Sequence, residues 1–589
     1  MINMNNAPNW NMAVVYKNGV TDSSFLSDFD ALQANVSILK QRSESLPLPS
    51  ETDIWASLLN DIFAAERTLH ELWTFTHCHT CADTQDKGAQ HTEARLMQCW
   101  SNISSAKIPI DDFIAFGDQE AYDNLASHPS LAAVRLGLNN VRAQSNVLLP
   151  KAEQDLAERL STDGIIAWGT LYSTQSGKLE VDYKGEKLSP AQTFNRMNKS
   201  LSADERRALF DAYSSAWSKD RDLWATGLTH ITGTRQTLNG LRKVGPLADV
   251  LSSCRMSEKT LDAMMEAIAS GRPMMVRYLK AKAKALGLNK LGFQDLKAPL
   301  GRFATAHTWE NSREFVLENF QGSSEALYTL AKNAFDGGWI EAEDRSHKRQ
   351  GGWCAFLPLT KQSRIFMTHG GGFTSTITLA HELGHAYHNE AMRDLHPVMK
   401  RVPMTLAETA STFAESVVRD AALQGAVDDQ EKLAILNARL SAAVSFMMDI
   451  PARFSFEKRL HVLRESGPLD ADKLDETMVE CQKEWFGEAL ETWSPTFWAS
   501  KLHFHMGGRS FYNFPYSFGY LFSRLVYAQV KADPVKWATK YDELLCDTGW
   551  MTAEEISLKH LGLDLTTPEA WTLAITPLMK DLEQLEALI

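Results

Sequence analysis

Thirteen residues constrain this chain more than the rest of its length. Residues 376–388 read TITLAHELGHAYH, and within them His381, Glu382 and His385 form the pattern HExxH. Residues four apart on an α-helix sit one turn up on the same face, so both imidazoles reach one metal ion. The pattern therefore asks for a helix here. Glu382 projects about 100° around that helix from His381, beside the open position of the metal. There it can take a proton from zinc-bound water and hand it to a leaving amine. The flanks agree with a buried helix: Ile377, Leu379 and Ala380 form an apolar lead-in. Thr374, Ser375 and Thr376 offer N-caps after Gly370-Gly371-Gly372, and Gly384 permits close backbone packing while weakening the helix. The bland alternative, a helix with two surface histidines that match by chance, sits poorly with that apolar context.

A catalytic zinc keeps three protein ligands and one open position. The longer pattern HExxHxxGxxH would add a third His, but His388 and Ala391 stand where its Gly and last His belong. A Glu on a following helix is the other solution. The next helical pattern runs from Thr405 to Glu415, after Pro397 and Pro403 have broken the first helix. It carries Glu408 and, two turns along the same face, Glu415. One of them can ligate while the other orients a ligand His from behind. A solvated helix charge is the competing reading of each. The neighbours Leu406, Ala407 and Ala410 disfavour it for Glu408, and for Glu415 both readings stand.

Around this block helical periodicity dominates. Ile54, Leu58, Ile62, Leu69 and Trp73 recur at helical spacing in a segment opening at Thr52 or Asp53, both good N-caps. Similar runs occur near 152–160, 204–240, 258–286, 404–423, 430–450 and 520–532. Residues 179–183 alternate before Lys184-Gly185, which predicts a hairpin over 178–190. Trp353–Leu357 and Arg364–Thr368 read as two short strands. The second is taken either as an edge strand that can hold an extended peptide or as part of an ordinary buried hairpin. The fold class is mainly α, with a small β-sheet beside the HExxH helix. Pro190 and the polar stretch 195–204 mark the end of an amino-terminal helical part. His77-Cys78-His79-Thr80-Cys81 has CxxC spacing but no second pair, and it continues a helical run, so its cysteines read as core rather than as metal ligands.

Composition removes whole classes. Lys and Arg number 60 against 73 Asp and Glu, a net charge of −13, which disfavours a general nucleic-acid partner. Hydrophobic residues at 44% and charged residues at 23% exclude a disordered chain. The seven cysteines are dispersed, and residues 1–20 lack a basic n-region and an apolar h-region. No stretch approaches about 18 uninterrupted apolar residues. The expectation is a cytoplasmic protein with no membrane span.

The block TLAHELGHAYH followed by LAETASTFAE resembles the oligoendopeptidase F group of the M3 (thimet oligopeptidase-like) zinc metallopeptidases. Asp295-Leu-Lys-Ala-Pro-Leu300 is similar to that group's D-x-x-A-P-L segment, residues 511–523 (FYNFPYSFGYLFS) to its carboxy-terminal aromatic motif, and Trp10–Tyr16 to its opening. The resemblance implies a helical two-lobed ellipsoid with a deep substrate channel and one Zn²⁺ at its floor. Residues 1–200 would then be a helical lid or channel wall and residues 201–589 the catalytic domain. It implies His381, His385 and Glu408 as zinc ligands and Glu382 as general base; Glu415 stays, from its helical spacing, a supporting or substrate-side candidate. It also implies that a His and two Tyr of the aromatic motif approach the substrate carbonyl. Tyr512 and Tyr516 match best, with Tyr520 a further partner. His503 is preferred to His505, which stands where related sequences often carry Tyr. Gly507-Gly508 is read as a flexible segment that lets the aromatic loop close.

The function implied is a zinc-dependent endopeptidase for short unstructured oligopeptides, since a narrow channel excludes folded proteins. A zinc carboxypeptidase or dipeptidyl carboxypeptidase would need an Arg or Lys gripping the terminal carboxylate. A non-catalytic peptide-binding protein with a vestigial zinc site would have no use for Glu382. The partner expected is an oligopeptide substrate, with neither nucleic acid nor membrane, and the oligomeric state is left open.

Overall fold

The computed structural model describes residues 7–303 and 307–589. The first six residues of the amino-terminal segment read above lie outside them. The chain is mainly α-helical with two small sheets, the class expected from its periodicity. It opens with three long helices, α1 (Ser23–Glu44), α2 (Thr52–Ala82) and α3 (Lys87–Phe116). Each carries an apolar stripe, and the stripes close on one another. Phe25, Phe29 and Leu39 of α1, Leu58, Ile62 and Leu69 of α2, and Leu96, Ile103 and Ile110 of α3 share one buried cluster. Of the stripe predicted on α2, Ile54 faces solvent and Trp73 is only partly buried. The helix starts at Thr52 itself and has no side-chain cap, so neither Thr52 nor Asp53 is its N-cap.

The Cys–His segment ends α2. Cys78 and Cys81 are buried, His77 Nε2 lies 3.3 Å from Cys81 Sγ, and His77 Nδ1 meets Glu93 at 2.8 Å. Among the described residues no metal-holding group forms there, and all seven cysteines are unpaired.

The predicted hairpin is present as β1 (Val181–Tyr183) and β2 (Glu186–Leu188), paired antiparallel. It leads into α4 (Pro190–Lys199), which a Ser189–Gln192 capping box starts, and later α5 (Arg221–Arg242). The second sheet holds β3 (Ile340–Glu341), β4 (Trp353–Leu357) and β5 (Gln362–Phe366) in the order β3-β5-β4. This corrects one expectation. The strand before the Gly run is β5, at 362–366 rather than 364–368, and it is the central strand, parallel to β3 and antiparallel to β4. Both its backbone edges are taken, so β4 is the edge strand of this sheet. At the other side the amino terminus straps β3: Ala342 N–H donates to the Pro8 carbonyl at 2.7 Å, and Asn11 N–H to the Gly338 carbonyl at 2.7 Å. Glu71 of α2 accepts from the Leu359 and Thr360 amides at the β4–β5 turn, which ties the helical bundle to the sheet.

Three further helices frame the site. These are α6 (Phe373–Ala391), α7 (Thr409–Gly425) and α8 (Asp429–Arg464), the last interrupted by a π turn at Ser445–Asp449. By length and mean hydropathy α8 is apolar enough to cross a membrane, although polar residues such as Asn437 and Arg439 break its run. Its apolar window is 61% buried in the protein, with Leu436, Leu440, Met447 and Phe454 in the main core, as in an interior helix. Helix α9 (Phe514–Ala532) completes the set and packs on α7.

Candidate metal centre and channel

Helix α6 carries the HExxH residues and lies on β4 and β5. Its N-cap is Gly372, without a side-chain bond, not one of the three hydroxyl residues after it. Ser375 Oγ instead accepts from the Gly370 amide at 3.0 Å, and Thr376 is buried against Ser312, their hydroxyls 2.8 Å apart. Ile377, Leu379, Ala380 and Leu383 fill the core as their spacing predicts.

The helix meets α7 at Gly384, between the two histidines. A Cβ there would lie 2.5 Å from the Ala410 carbonyl oxygen and 2.6 Å from Ser411 Cα. Such contacts are backbone to backbone and have no side chain to yield. Gly384→Ala is therefore expected to push the helices apart, costing about 1–3 kcal/mol and separating His385 from Glu408. Thermal midpoint and bound metal, read by calorimetry and atomic absorption, should fall together. A variant unchanged in both would contradict the backbone contact.

The run predicted as one helix from Thr405 to Glu415 is broken. A single turn, Met404–Ala407, ends at Glu408, whose backbone (φ −91°, ψ 6°) departs from the helix before α7 begins. That break turns the Glu408 side chain toward α6. Glu408 Oε2 lies 3.4 Å from His381 Nε2 and 3.5 Å from His385 Nε2, and the two ring nitrogens are 3.2 Å apart. Zinc bonds of about 2.0–2.2 Å in a tetrahedron set ligand atoms about 3.3 Å apart. Three edges of that size, from two imidazoles and a carboxylate, fit one such ion and leave its fourth position free. Among the described residues this is the one group of His, Cys, Asp or Glu that could hold a metal. Ser411 donates to Glu408 Oε2 at 2.6 Å, and α9 comes within van der Waals reach of Glu408 through Gly519.

Glu415 stands behind the histidines. Its Oε1 accepts from His381 Nδ1 at 2.8 Å, while Arg419 holds Oε2 at 3.0 Å. In a neutral His381 the bond from Nδ1 places the Nε2 lone pair toward the centre. Burial alone would depress His381, but the Glu415 bond and the charges of Glu415, Glu408 and Glu382 hold it up to about 9. Burial pushes His385 down to about 4. Glu382 is 4% exposed, and burial, with Glu408 and Glu415 adding, raises its carboxyl to about 7. Its Oε1 sits where a Cβ on Gly352 would come within 2.9 Å, and its Oε2 has no hydrogen-bond partner among the described residues. His388 and His369 belong to other contacts: His388 Nε2 meets Thr548 at 2.8 Å, and His369 Nε2 meets Ser312 at 3.0 Å.

A cavity of about 1540 Å³ opens over this group, lined among others by His381, Glu408, Glu415, His503, Tyr516 and Tyr520. His503, Tyr512 and Tyr516 form a triangle of rings with centroids 5.7–5.9 Å apart. Burial raises the Tyr516 hydroxyl well above the ordinary tyrosine value, with the neighbouring Tyr512 adding. Burial, with Arg453 and Lys501, depresses His503 to about 4. Tyr520 is stacked on Phe446 at 4.6 Å within the cavity wall. His505 lies apart from the triangle: it is 1% exposed, stacks on Tyr172 at 4.0 Å and bonds the Trp498 carbonyl at 3.2 Å.

The loop that carries Tyr512 is pinned from below. Phe511 has φ +51°, a left-handed value unusual for Phe. Its amide donates to the buried carboxylate of Glu457 at 2.6 Å, and Arg235 donates to the carbonyls of Met506 and Arg509. Gly507 is not a free hinge. A Cβ on it would lie 2.3 Å from the Ile165 carbonyl oxygen, so its glycine serves close approach, while Gly508 faces open space. Sequence reasoning missed Arg419, Ser411, Arg235 and Glu457. Only Arg419 had a readable signal, its i,i+4 spacing from Glu415.

The model of peptidase family M3 matches residues 196–576. Oligopeptidase PepF of Bacillus subtilis (strain 168) is 21% identical over 583 residues, covering 97% of this chain and 86% of that protein. A solved structure from Chlamydophila abortus has a TM-score of 0.85 at 20% identity, covering 99% of this chain and 98% of that one. The crystal structure of oligoendopeptidase-F from Enterococcus faecium has a TM-score of 0.69 at 18% identity, covering 95% and 99%. These two share the fold.

Proposed function

Because this chain belongs to peptidase family M3 and is a metalloendopeptidase, we propose that it is a zinc-dependent hydrolase of short, unstructured oligopeptides, with residues 201–589 as its catalytic part and residues 1–200 as lid or channel wall. The observation that carries this reading is the convergence of His381, His385 and Glu408 at zinc-ligand spacing with the Glu382 carboxylate on the same helix. A Zn²⁺ held by those three residues supplies a Lewis acid for the peptide carbonyl and lowers the pKa of water.

The chain's own groups do the rest. Glu415, braced by Arg419, fixes the tautomer and angle of His381. Glu382 accepts a proton from the attacking water and delivers it to the departing amide nitrogen. Tyr516, with Tyr512 and His503 beside it, donates toward the carbonyl oxygen as negative charge collects there. One such donor is worth about 3 kcal/mol in the transition state. Tyr520 and Glu415 line the same cavity, whereas the contacts of His505 suit a structural role. Oligopeptide named for the relatives fits a cavity of this size better than a folded protein would. The seven unpaired thiols support a reducing, cytoplasmic setting.

The test is a digest of a mixed peptide library followed by mass spectrometry, with and without a chelator. Internal cleavage of short peptides that stops on chelation and returns with zinc is expected. A metal-replete sample inert on the whole library would end the reading.

A further inference from the structure

Three cations gather around two rings on the channel wall next to His503. Lys297 and Arg453 line the cavity. Lys501, two residues before His503, stands behind them with its Nζ 4.5 Å from the Phe497 ring centroid and 5.4 Å from that of Phe194. Lys297 Nζ is 5.8 Å from the same Phe194 ring, and the Arg453 guanidinium is 5.0 Å from Phe497. One acid, Asp449, lies among them, and Arg453 occupies it, with Nε 3.2 Å from Oδ1. Among the described residues no carboxylate comes within 4 Å of Lys297 or Lys501. Asn195, Asn198 and Lys199 of α4 line the same stretch of cavity.

A partly buried ammonium with only ring faces for partners is unusual in a chain of net charge −13. Cation–π contact recovers part of the lost hydration and leaves the charge uncompensated. Burial, with Arg453 and Lys297 adding and Asp449 opposing, pushes Lys501 down to about 7. The occupant of this channel, on the reading proposed above, is a peptide. The anionic group that an unmodified peptide brings is a carboxylate, either at its carboxy terminus or on an Asp or Glu side chain.

We infer that Lys297 and Lys501, framed by Phe194 and Phe497, form a subsite that binds a carboxylate of the substrate peptide beside His503. This inference rests on the peptidase reading for its occupant and adds a substrate preference to it. Lys501 reaches the carboxylate from behind the wall and Lys297 from the cavity side, with the two rings between them and the core. A terminal carboxylate held there would favour cuts at a fixed distance from the end. A side-chain carboxylate would favour an acidic residue at a fixed distance from the cut.

A four-arm peptide library distinguishes the sources: free acid termini with Asp and Glu present, amidated termini, Asp and Glu replaced by Asn and Gln, and both changes together. The wild type is expected to deplete carboxylate-bearing peptides about tenfold faster than their neutral counterparts, with the gain in KM. Loss of the preference in the amidated arm identifies the terminus, and loss in the Asn/Gln arm identifies the side chain. Lys297 is exposed, so Lys297→Glu should fold normally and reverse the preference. Lys501→Gln should flatten it and Lys501→Arg retain it. Equal wild-type rates in all four arms would overturn the inference, as would variants that scale every arm by one factor. Binding of fluorescein-labelled Glu and Gln peptides, followed by anisotropy, reads the subsite without turnover. An enzyme that binds with acid preference but cleaves nothing refutes the peptidase reading alone, and one that cleaves without acid preference refutes the subsite alone.

Discussion

Glu382→Gln is expected to keep its metal and its thermal stability while losing peptide turnover by about three orders of magnitude or more. The substitution preserves shape, and shape matters here. The side chain is 4% exposed, with Oε1 against the bare backbone of Gly352 and Oε2 free of any partner among the described residues. A carboxamide fills that space but cannot accept a proton from water. The loss should appear in kcat more than in KM, because proton transfer belongs to the transition state and not to peptide binding. Turnover at saturating peptide, with metal counted by mass spectrometry on the same sample, checks it. A variant within tenfold of wild type would remove Glu382 from the chemistry.

The second large effect is expected at Glu408. Glu408→Ala removes the only oxygen from the converging set and leaves the Ser411 hydroxyl with the Glu408 backbone carbonyl alone. Two imidazoles held 3.2 Å apart by a helix remain, and they should release zinc on dialysis against a mild chelator. Affinity should fall by well over about a hundredfold, the upper range for groups that merely support a ligand. Glu415→Gln supplies the contrast. It keeps all three ligand atoms and loosens only His381, so its loss should stay within about 10–100-fold. Stoichiometric zinc in the dialysed Glu408→Ala protein would move the third ligand elsewhere, and equal losses in the two variants would erase the distinction between them.

The parts of this centre that were legible in the sequence are those fixed by helical periodicity. His381, Glu382 and His385 could be placed on one face because 3.6 residues per turn leaves no freedom. Gly384 could be read as a contact point because it interrupts a good helix at a cost. Glu408 was legible as a residue of the next helical pattern, but the break in the chain at that residue was not. Nothing in Thr405–Glu415 is a helix breaker, and the neighbour that faces Glu408, Gly519 on α9, lies more than a hundred residues on. Strand β5 was legible as a strand and not as a central one. Its neighbour β3 is two residues long, too short for any periodic signal. Gly507 shows the same limit from the other side. A glycine chosen for a contact with the distant Ile165 carbonyl reads, in sequence, like one chosen for freedom. The left-handed Phe511 has no residue-type signature, and the Glu457 carboxylate that its amide meets comes from another helix.

The amino-terminal strap on β3 has a counterpart in polymer physics. The ligands His381 and Glu408 belong to one short stretch of chain, whereas Trp10, which donates to Glu341 at 3.3 Å, is separated from it by 331 residues. Closing the longer loop costs about 2 kcal/mol more in chain entropy than closing the shorter one, because the penalty grows with the logarithm of length. The ligand group thus closes over a short separation in sequence, and the strap on the sheet that backs its helix closes over a long one. One is nearly local. The other joins an early stretch of the chain to its middle, and it turns the covalent stretch in between into one large loop closed by noncovalent bonds.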